Sequence, residues 1–498
     1  MSVEEPTDLD GATRAELYAM AAERKVSGRS GMSKAELRDA LEGETDRAAA
    51  SRVEQFRALA EAAATDQFVM LPRALTGNDR RLHVRQTLRE DHETRIARGA
   101  GDTAAKFDAM ADSVFAFFRG TALLFYRDMA GEDGWMPTVL TLGDVHPANF
   151  GIMPNADNVP IFAVNDFDEA YYAPFTWDLK RGAVGFMIAA GHIGGHGHRR
   201  QCRIAERFVR GYAAGIEGFA EDGGEFESEV RVDNAPEMLV ELFEDAEESR
   251  AEWLADDYLD EFGRGFRADD ELVPLTSRRA EFQDAIDRLV AGMSAEVPPR
   301  AAGMRVKDVC ARMGQGTASL GLSRYYVLIE GPRADGTDDL IIELKQARRS
   351  ALAGLVPPSA YEHQALGDRI ADAQAVQLVR GDVFFGSVDF EGTSFMSRER
   401  APFRDDMDLD DLSKKGWKRY AELCGRSLAH AHALSDEIGR IERDIEPEIQ
   451  QAMVPTALFV DDIVRFAGEA TTRLRGDHAA FCSDYALGAY TEVDRVYR

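Results

Sequence analysis

Two stretches of the sequence decide how its fold is interpreted: TLGDVHPANFG, from Thr141 to Gly151, and FAVNDFDEAYY, from Phe162 to Tyr172. An apolar run precedes the polar residues in each stretch: PTVLTL comes before Asp144, and VPIFAV comes before Asp166. Short apolar runs of this kind are typical of strands. The sequence therefore predicts two carboxylates at strand ends, where a substrate can approach a sheet.

The residue types in these two stretches favour phosphoryl transfer. Asn149 follows Asp144 by five residues on one loop, so that a single loop can accept a hydroxyl proton and hold a divalent cation. Asp166 ends the next strand, where it can bind a Mg²⁺ ion that bridges nucleotide phosphates, since Mg²⁺ prefers hard oxygen ligands. Asp168 is an alternate or accessory ligand. We therefore expect ATP and Mg²⁺ as cofactors, with Asp144 as the base.

The segments LGDVHPANFG, NDFDE and WDLKR resemble the catalytic segment of aminoglycoside and choline kinases, in which a G-D-x-H-x-x-N loop precedes an acidic D-F-[DE] strand end. The resemblance implies that Asp144 is the base and that Asn149 and Asp166 are metal ligands. It also implies that Asp178 is a buried acid that braces the loop. Those kinases usually carry a histidine before the glycine, whereas this chain has Leu142.

Over roughly residues 110 to 435 the chain resembles a bacterial family catalogued as domain of unknown function 2252. The segments that carry this resemblance include FAFFRGTALLFYRDM, GTASLGLSRYYVLIEG, GDRIADAQAVQLVRGDVFFG and CGRSLAHAHA. The family is regarded as kinase-like, so the resemblance implies an α+β, protein-kinase-like two-lobe fold.

A glycine-rich turn later in the chain is a candidate phosphate-binding element. The segment GQGTASLGLSRYYVLIEG places Gly314, Gly316, Ser319 and Gly321 in a turn between strands, although a plain hairpin would look similar. Glycines allow backbone N–H groups to approach phosphate without an intervening Cβ.

Lys345 is the candidate lysine that contacts the nucleotide phosphates, because it emerges from the apolar strand IIELKQA just after that turn. A helix predicted from about Tyr361 to Val379 offers Glu362 or Asp372 as the acid that keeps Lys345 extended, and spacing favours Glu362.

The order of these parts predicts a circular permutation. Kinases place the glycine turn and the lysine before the base, whereas here Gly314 follows Asp144 by about 170 residues. We therefore expect an antiparallel sheet from about Val306 to Arg398. We predict a helical catalytic lobe at 53–300, a β-rich nucleotide-binding lobe at 301–404 and the second part of the helical lobe at 405–498.

Residues 7–43 resemble helix-extension-helix modules of the SAP and Rho N-terminal type. One helical pattern leads into KVSGRSGM, and a second helix begins at Ser33 with Glu36 three residues later, which is a capping box. The basic residues between Arg24 and Arg38 make weak DNA or RNA contact through residues 24–38 feasible. A small docking module is the alternative.

Composition limits the remaining functions. The chain has 498 residues and a net charge of 59 − 88 = −29, which opposes binding of the whole chain to nucleic acid or anionic lipid. No apolar run is long enough to span a bilayer, and the N-terminus is acidic, so we expect a cytoplasmic protein without a membrane partner. The four cysteines form no CxxC pair, which argues against a zinc knuckle.

Three other functions stay open. A binuclear metallohydrolase would use Asp144 and His146 as ligands, with further imidazoles from the segment GHIGGHGH. A kinase-like site can also transfer AMP as a nucleotidyltransferase, or serve as a pseudokinase scaffold localised by the N-terminal module. The expected partners are a nucleotide and a hydroxylated small molecule.

Overall fold

The computed structural model describes residues 12–23, 29, 33–35, 37–38, 40–41, 71–98, 101–245, 249–293, 296–301, 303–314, 322–356, 365–402, 406–437 and 440–490. The α-helices in these ranges are α1 (Arg14–Glu23), α2 (Gly77–Asp91), α3 (Glu93–Arg98), α4 (Gly101–Asp112), α5 (Val114–Gly120), α6 (Ala122–Met129), α7 (Phe175–His192), α8 (His198–Asp222), α9 (Glu237–Asp245), α10 (Arg250–Trp253), α11 (Arg279–Gly292), α12 (Leu366–Gln377), α13 (Gly416–Ala433), α14 (Glu446–Ala452) and α15 (Thr456–Ala486).

The strands form three antiparallel arrangements. They are β1 (Thr138–Thr141), β2 (Phe150–Pro154), β3 (Pro160–Val164), β4 (Tyr171–Pro174), β5 (Leu272–Pro274), β6 (Val306–Arg312), β7 (Arg324–Ile329), β8 (Leu340–Gln346), β9 (Gly386–Phe390) and β10 (Thr393–Arg400). Strand β1 pairs with β4, β2 pairs with β3, and the other strands form a sheet in the order β5-β6-β7-β8-β10-β9. The presence of both helices and antiparallel sheets confirms the α+β class. The antiparallel sheet predicted from about Val306 to Arg398 is also present.

Helix α7 is a central buried element of the largest core. Its sequence FTWDLKRGAVGFMIAAGH is apolar or small on nearly every side, which is the pattern of a helix surrounded by protein. Helices α8 and α13 pack beside it and approach each other closely at glycines. A Cβ on Gly211 would lie 2.1 Å from the carbonyl oxygen of Glu422, and one on Gly425 would lie 2.1 Å from that of Phe208. This close packing fixes the helices that hold the site described below.

The six-stranded sheet is covered on both faces. Residues of α11, including Phe282 and Ile286, share a core with Val327 and Ile342 on one face. On the other face, Trp253 and other residues of the 253–266 segment share a core with apolar residues of the sheet. The described residues between Arg250 and Ala301 that belong to these two cores therefore pack with the sheet. Packing decides this, because the helical periodicity of α11 does not specify which surface covers its apolar side.

The N-terminal residues form a separate small core. The buried side chains of residue 12, of α1 and of residues 37 and 41 pack together, and none of them belongs to the other described cores: Ala12, Leu17, Ala21, Leu37 and Leu41. A capping box begins α1, since Thr13 N donates to Glu16 Oε2 at 2.7 Å and Glu16 N donates to Thr13 Oγ1 at 3.3 Å. The predicted capping residue Glu36 and residues 24–28 lie outside the described residues.

Among the described helices, none combines the length and the apolar character that crossing a membrane requires.

Candidate functional site

Two loops converge because of how the four short strands pair. Residues 142–149 connect β1 to β2, and residues 165–170 connect β3 to β4. In the registers, Thr141 lies opposite Tyr171 and Phe150 lies opposite Val164, so both loops bridge the two strand pairs at the same end. Asn165 N donates to the carbonyl oxygen of Asn149 at 3.2 Å across the gap. We call residues 142–149 the base loop and residues 165–170 the acidic loop.

Asp144 is held by a buried arginine. Arg181 on α7 donates from Nε to Asp144 Oδ1 at 2.8 Å and also donates from Nη2 to the same oxygen. The Arg181 guanidinium lies 4.2 Å from the ring centroid of Phe118, and the side chain is fully buried. Because both donors reach Oδ1, the arrangement leaves Oδ2 for another partner. Sequence reasoning missed Arg181, although the segment WDLKR that contains it formed part of the kinase resemblance.

His146 is a neutral neighbour of Asp144. Burial lowers the pKa of His146 well below its ordinary value, and the charges of Arg119 and Arg181 lower it further. His146 Nδ1 accepts a hydrogen bond from Ala148 N at 3.2 Å, so the ring proton lies on Nε2, which is 3.8 Å from Asp144 Oδ2. The ring thus stiffens the base loop and carries no charge at neutral pH.

Asp178 braces the base loop from behind, as the kinase resemblance implied. Its fully buried carboxylate accepts hydrogen bonds from Leu142 N at 2.6 Å and from Gly143 N at 3.0 Å. His432 Nε2 lies 3.1 Å from the same carboxylate, and Tyr212 Oη lies 2.9 Å from His432 Nδ1. The brace uses backbone N–H groups, so a leucine in place of the usual histidine at position 142 does not remove it. His432 is itself fully buried.

Gly143 allows the two loops to touch. Its φ is +78°, and a Cβ at this position would lie only 2.2 Å from the carbonyl oxygen of Glu169. On the acidic loop, Glu169 accepts a hydrogen bond from Ala351 N at 2.5 Å. Burial raises the pKa of Glu169 to about 6, although nearby Arg348 opposes the rise.

Lys345 reaches the acidic loop from the large sheet. Its ammonium group forms an ion pair with Asp168, and the Lys345 side chain is 8% exposed while that of Asp168 is 18% exposed. Two residues separated by 177 positions in the sequence are therefore in direct contact.

Asp166 and Asp168 have opposite electrostatic environments. Burial raises the pKa of Asp166, and the negative charges of Asp168 and Asp144 add to the effect. Burial alone would also raise the pKa of Asp168, but the charge and hydrogen bond of Lys345 outweigh it and hold the pKa below its usual value. Asp166 accepts a backbone hydrogen bond from Asp168 N at 3.2 Å and, among the described residues, makes no ion pair. A cation bound beside Asp166 would therefore stabilise a negative charge that these described residues leave without an ion pair.

The donor set suits Mg²⁺. The Asn149 amide donates from Nδ2 to the carbonyl oxygen of Asp144 at 2.7 Å, which leaves its oxygen to serve as a ligand. One amide oxygen and one or two carboxylates are hard ligands of the type that Mg²⁺ uses together with phosphate oxygens. Asn149, Asp166 and Asp168 are thus brought to the same end of the small strands.

Helix α12 ties the sheet to the acidic loop by an arginine. Arg369 donates to the backbone oxygens of Asp168 at 2.6 Å and Ala170 at 2.5 Å. Asp372 is exposed on the same helix, and Asp168 is the carboxylate that pairs with Lys345 among the described residues. Asp372 is therefore not its partner in this structure. The favoured candidate Glu362 lies outside the described residues, as do Gly316, Ser319 and Gly321; Gly314 is described and has a φ of +72°.

Two further arginines lie beside Lys345 on the sheet. Arg324 on β7 pairs in register with Lys345, and Arg398 on β10 pairs in register with Glu343 on β8. Both guanidinium groups form ion pairs with the fully buried Glu343. The register that brings these three strands together was not visible in the sequence.

The residues proposed for a binuclear metal site do not form a cluster of ligands. The segment GHIGGHGH forms the turn between α7 and α8, where His196 is buried against Trp417 and His198 is exposed. Among the described residues, the cluster of three acidic or metal-binding side chains lies elsewhere, at Asp436, Asp444 and Glu446.

Comparison with known proteins identifies a family. The sequence model of a family described as an uncharacterized protein conserved in bacteria (DUF2252) matches residues 98–484, which is most of the chain. No curated protein and no solved structure matches the sequence.

Proposed function

The chain belongs to this family of bacterial proteins, and we propose that it is a Mg²⁺-dependent ATP phosphotransferase that acts on a hydroxylated small molecule. The observation that carries the proposal is the ion pair between Lys345 and Asp168. It joins a lysine on an antiparallel sheet to an acidic loop that lies against a base loop, which are the parts that phosphoryl transfer requires.

We propose that the fold is a circularly permuted protein-kinase-like fold. Within 306–400, Gly314 lies in the connection between the first two strands, Lys345 lies on the third strand, and helix α12 follows. Protein kinases arrange their glycine-rich loop, lysine and next helix in this order.

The end of helix α13 supports the permutation. Aminoglycoside kinases carry a similar L-A-x-x-H helix just before their catalytic loop. Here the chain leaving α13 passes β1, since Leu140 N donates to Ser435 Oγ at 3.1 Å. The spatial order of helix and base loop is thus kept although residue 435 follows residue 140 by 295 positions.

The mechanism assigns one task to each side chain. Asp144 accepts the proton of the acceptor hydroxyl at Oδ2 while Arg181 holds Oδ1. The hydroxyl oxygen forms a bond to the γ-phosphorus, the bond from that phosphorus to the bridging oxygen breaks, and ADP leaves. Lys345 exchanges Asp168 for phosphate oxygens. When bound by Asn149, Asp166 and Asp168, Mg²⁺ supplies neutralisation of the phosphate charge.

Two substitutions separate the roles of the carboxylates. Asp166→Ala should abolish Mg²⁺-dependent ATP binding in a folded protein, because it removes the carboxylate that lacks a cation. Asp144→Asn should retain binding and abolish transfer, because an amide cannot accept the proton. Calorimetry with Mg²⁺ and ATP, followed by turnover of a metabolite extract, measures both. As a control, Asp157→Asn changes an exposed carboxylate on the β2–β3 turn and should alter neither.

Unchanged Mg·ATP affinity in folded Asp166→Ala would exclude this metal site, and retained turnover in Asp144→Asn would exclude Asp144 as the base. Parallel reactions with label in the γ- or the α-phosphate distinguish a phosphorylated product from an adenylylated one. Absence of any Mg²⁺-dependent nucleotide binding by the unaltered protein would refute the proposed function itself.

A further inference from the structure

Arg119 is a cation without an acidic partner on a helix that contacts the base loop. Its helix α5 has the sequence VFAFFRG, in which Phe115, Phe117 and Phe118 are buried. Arg119 Nε is buried without a hydrogen-bond partner, and among the described residues no carboxylate forms an ion pair with this side chain. Its Cζ lies 5.8 Å from the ring centroid of Phe115, near the outer limit of a cation–π contact. The N–H donors of this guanidinium therefore lack acceptors among the described residues.

The missing partner is unusual for an arginine in this chain. Loss of hydration makes a charge unfavourable inside a protein unless an opposite charge and hydrogen bonds compensate for it. The chain has 88 acidic residues, and the next arginine along it, Arg127, pairs with Glu90. Arg119 is partly exposed, so an anion from outside the protein can reach its guanidinium. The side chain is therefore suited to an anionic ligand.

The backbone of α5 lies beside the candidate base. Arg181, which holds Asp144 Oδ1, also donates from Nη2 to the carbonyl oxygen of Phe118 at 3.1 Å. Phe118 is the residue directly before Arg119. The same buried guanidinium thus ties the helix that carries Arg119 to the carboxylate that would accept the hydroxyl proton.

A row of contacts leads from Arg119 to the other oxygen of Asp144. The ring of Phe115 contacts the Arg119 guanidinium and also the ring of His146, whose centroid is 6.0 Å away in an edge-to-face arrangement. His146 Nε2 is 3.8 Å from Asp144 Oδ2, the oxygen that Arg181 leaves available. After burial, the charge of Arg119 is the strongest influence that lowers the pKa of His146, ahead of the charge of Arg181. Because a Coulomb interaction weakens with distance, Arg119 also lies on this side of Asp144.

We propose that Arg119 binds an anionic group of the acceptor molecule, so that the substrate is a hydroxylated oxyanion: a hydroxy acid or a phosphate ester of a polyol. This proposal rests on the proposed function and specifies its substrate class. The acceptor hydroxyl lies at Asp144 Oδ2 and the anionic group lies on Arg119, whose planar fork matches carboxylate and phosphate alike. Since the net charge of −29 repels such a molecule, a local cation is needed to retain it.

The test divides a small-molecule extract, freed of nucleotides, into anionic, neutral and cationic fractions. Each fraction is incubated with the protein, Mg²⁺ and ATP labelled in the γ-phosphate, and we expect labelled product from the anionic fraction. At limiting amounts of that fraction, Arg119→Gln should slow labelling by about 10- to 100-fold, because a charge-assisted hydrogen bond has this magnitude. Arg119→Lys keeps the charge without the fork, so it should lose less. Arg127→Gln changes the arginine that pairs with Glu90 and should leave the rate unchanged.

Calorimetry and melting separate the acceptor site from other roles of Arg119. Mg·ATP affinity should be the same in Arg119→Gln as in the unaltered protein; a loss of that affinity would assign Arg119 to the nucleotide and overturn the proposal. Both Arg119 variants should also keep the melting midpoint of the unaltered protein, because no described group accepts a hydrogen bond from Arg119. Equal losses of rate in the two variants, together with lower midpoints, would indicate a structural role and would also overturn it.

The fractions distinguish this proposal from the proposed function. Product from the neutral or the cationic fraction alone, or an unchanged rate in Arg119→Gln, refutes the anionic acceptor and leaves phosphoryl transfer intact. Bound Mg·ATP without product from any fraction refutes both. Treatment of the active fraction with a phosphatase that is then removed identifies the anion, since a phosphate ester would cease to be an acceptor and a hydroxy acid would remain one; either result supports the proposal.

Discussion

Replacement of Gly143 by alanine should destabilise the protein by bringing the base loop and the acidic loop into collision. An alanine at φ +78° costs about 1–2 kcal/mol from backbone conformation alone. In addition, its Cβ would lie 2.2 Å from the carbonyl oxygen of Glu169, so the loops must separate by about 1 Å, and such overpacking costs about 1–3 kcal/mol. A displacement of that size near reacting groups also lowers turnover by about 100-fold.

Gly131 provides the matched control. Its φ is +81°, and a Cβ there would meet nothing within 4 Å. Gly131→Ala should therefore show only the conformational cost, so that the two variants differ by about 2 kcal/mol in the free energy of unfolding. In thermal melts this corresponds to a midpoint about 2–3 °C lower for Gly143→Ala, because the core that contains it extends over roughly 400 residues. Equal melting midpoints for the two variants, with equal nucleotide affinity, would refute the idea that contact with Glu169 sets the position of the base loop.

Three other predictions concern the brace, pH and the N-terminal residues. Asp178→Ala should lower the free energy of unfolding by more than about 3 kcal/mol in urea melts, because three buried donors lose their acceptor; a loss below 1 kcal/mol would contradict the bracing role. Since the native pKa of Glu169, about 6, lies above its ordinary value of 4.5, the folded state keeps a proton that the unfolded state releases at lower pH, and the stability of the protein relative to Glu169→Gln should fall by about 2 kcal/mol in all as pH rises from about 3.5 to about 7. Melts that show no such difference between about pH 3.5 and about pH 7 would contradict this titration. Deletion of residues 1–43 should leave Mg·ATP affinity unchanged in calorimetry, because the small N-terminal core is separate from the others. If the deletion also removes affinity for DNA, the DNA affinity of the full chain should decrease steeply as the salt concentration rises.

The local elements were predictable from the sequence. The apolar runs before Asp144 and Asp166 are strands, Lys345 lies on a strand, and the helix predicted from about Tyr361 to Val379 is present as Leu366–Gln377. These features depend on backbone preferences and periodicity over a few neighbouring residues, so a short window of sequence contains the information. The same holds for the chemistry of the residues, since carboxylates, an amide and a lysine limit the ligands that a site can take.

The interactions that complete the candidate site depend on tertiary structure. The sequence places Arg181 on a helix, but it does not indicate that α7 turns this side chain toward Asp144. Likewise, Arg324 and Arg398 flank Glu343 only because three strands far apart in the chain adopt one register.

The sequence by itself therefore determined which groups can take part in chemistry and on what kind of element each one lies. Tertiary structure decided which of them meet: it paired Lys345 with Asp168 instead of Asp372, and it packed Trp253 and Phe282 against the two faces of the sheet. The physical reason is that contacts between distant segments form when whole faces of helices and sheets become buried, and many residues each contribute a small part of the free energy of that burial. Because closing a long loop costs little more free energy than closing a short one, sequence separation gives almost no guide to such partners.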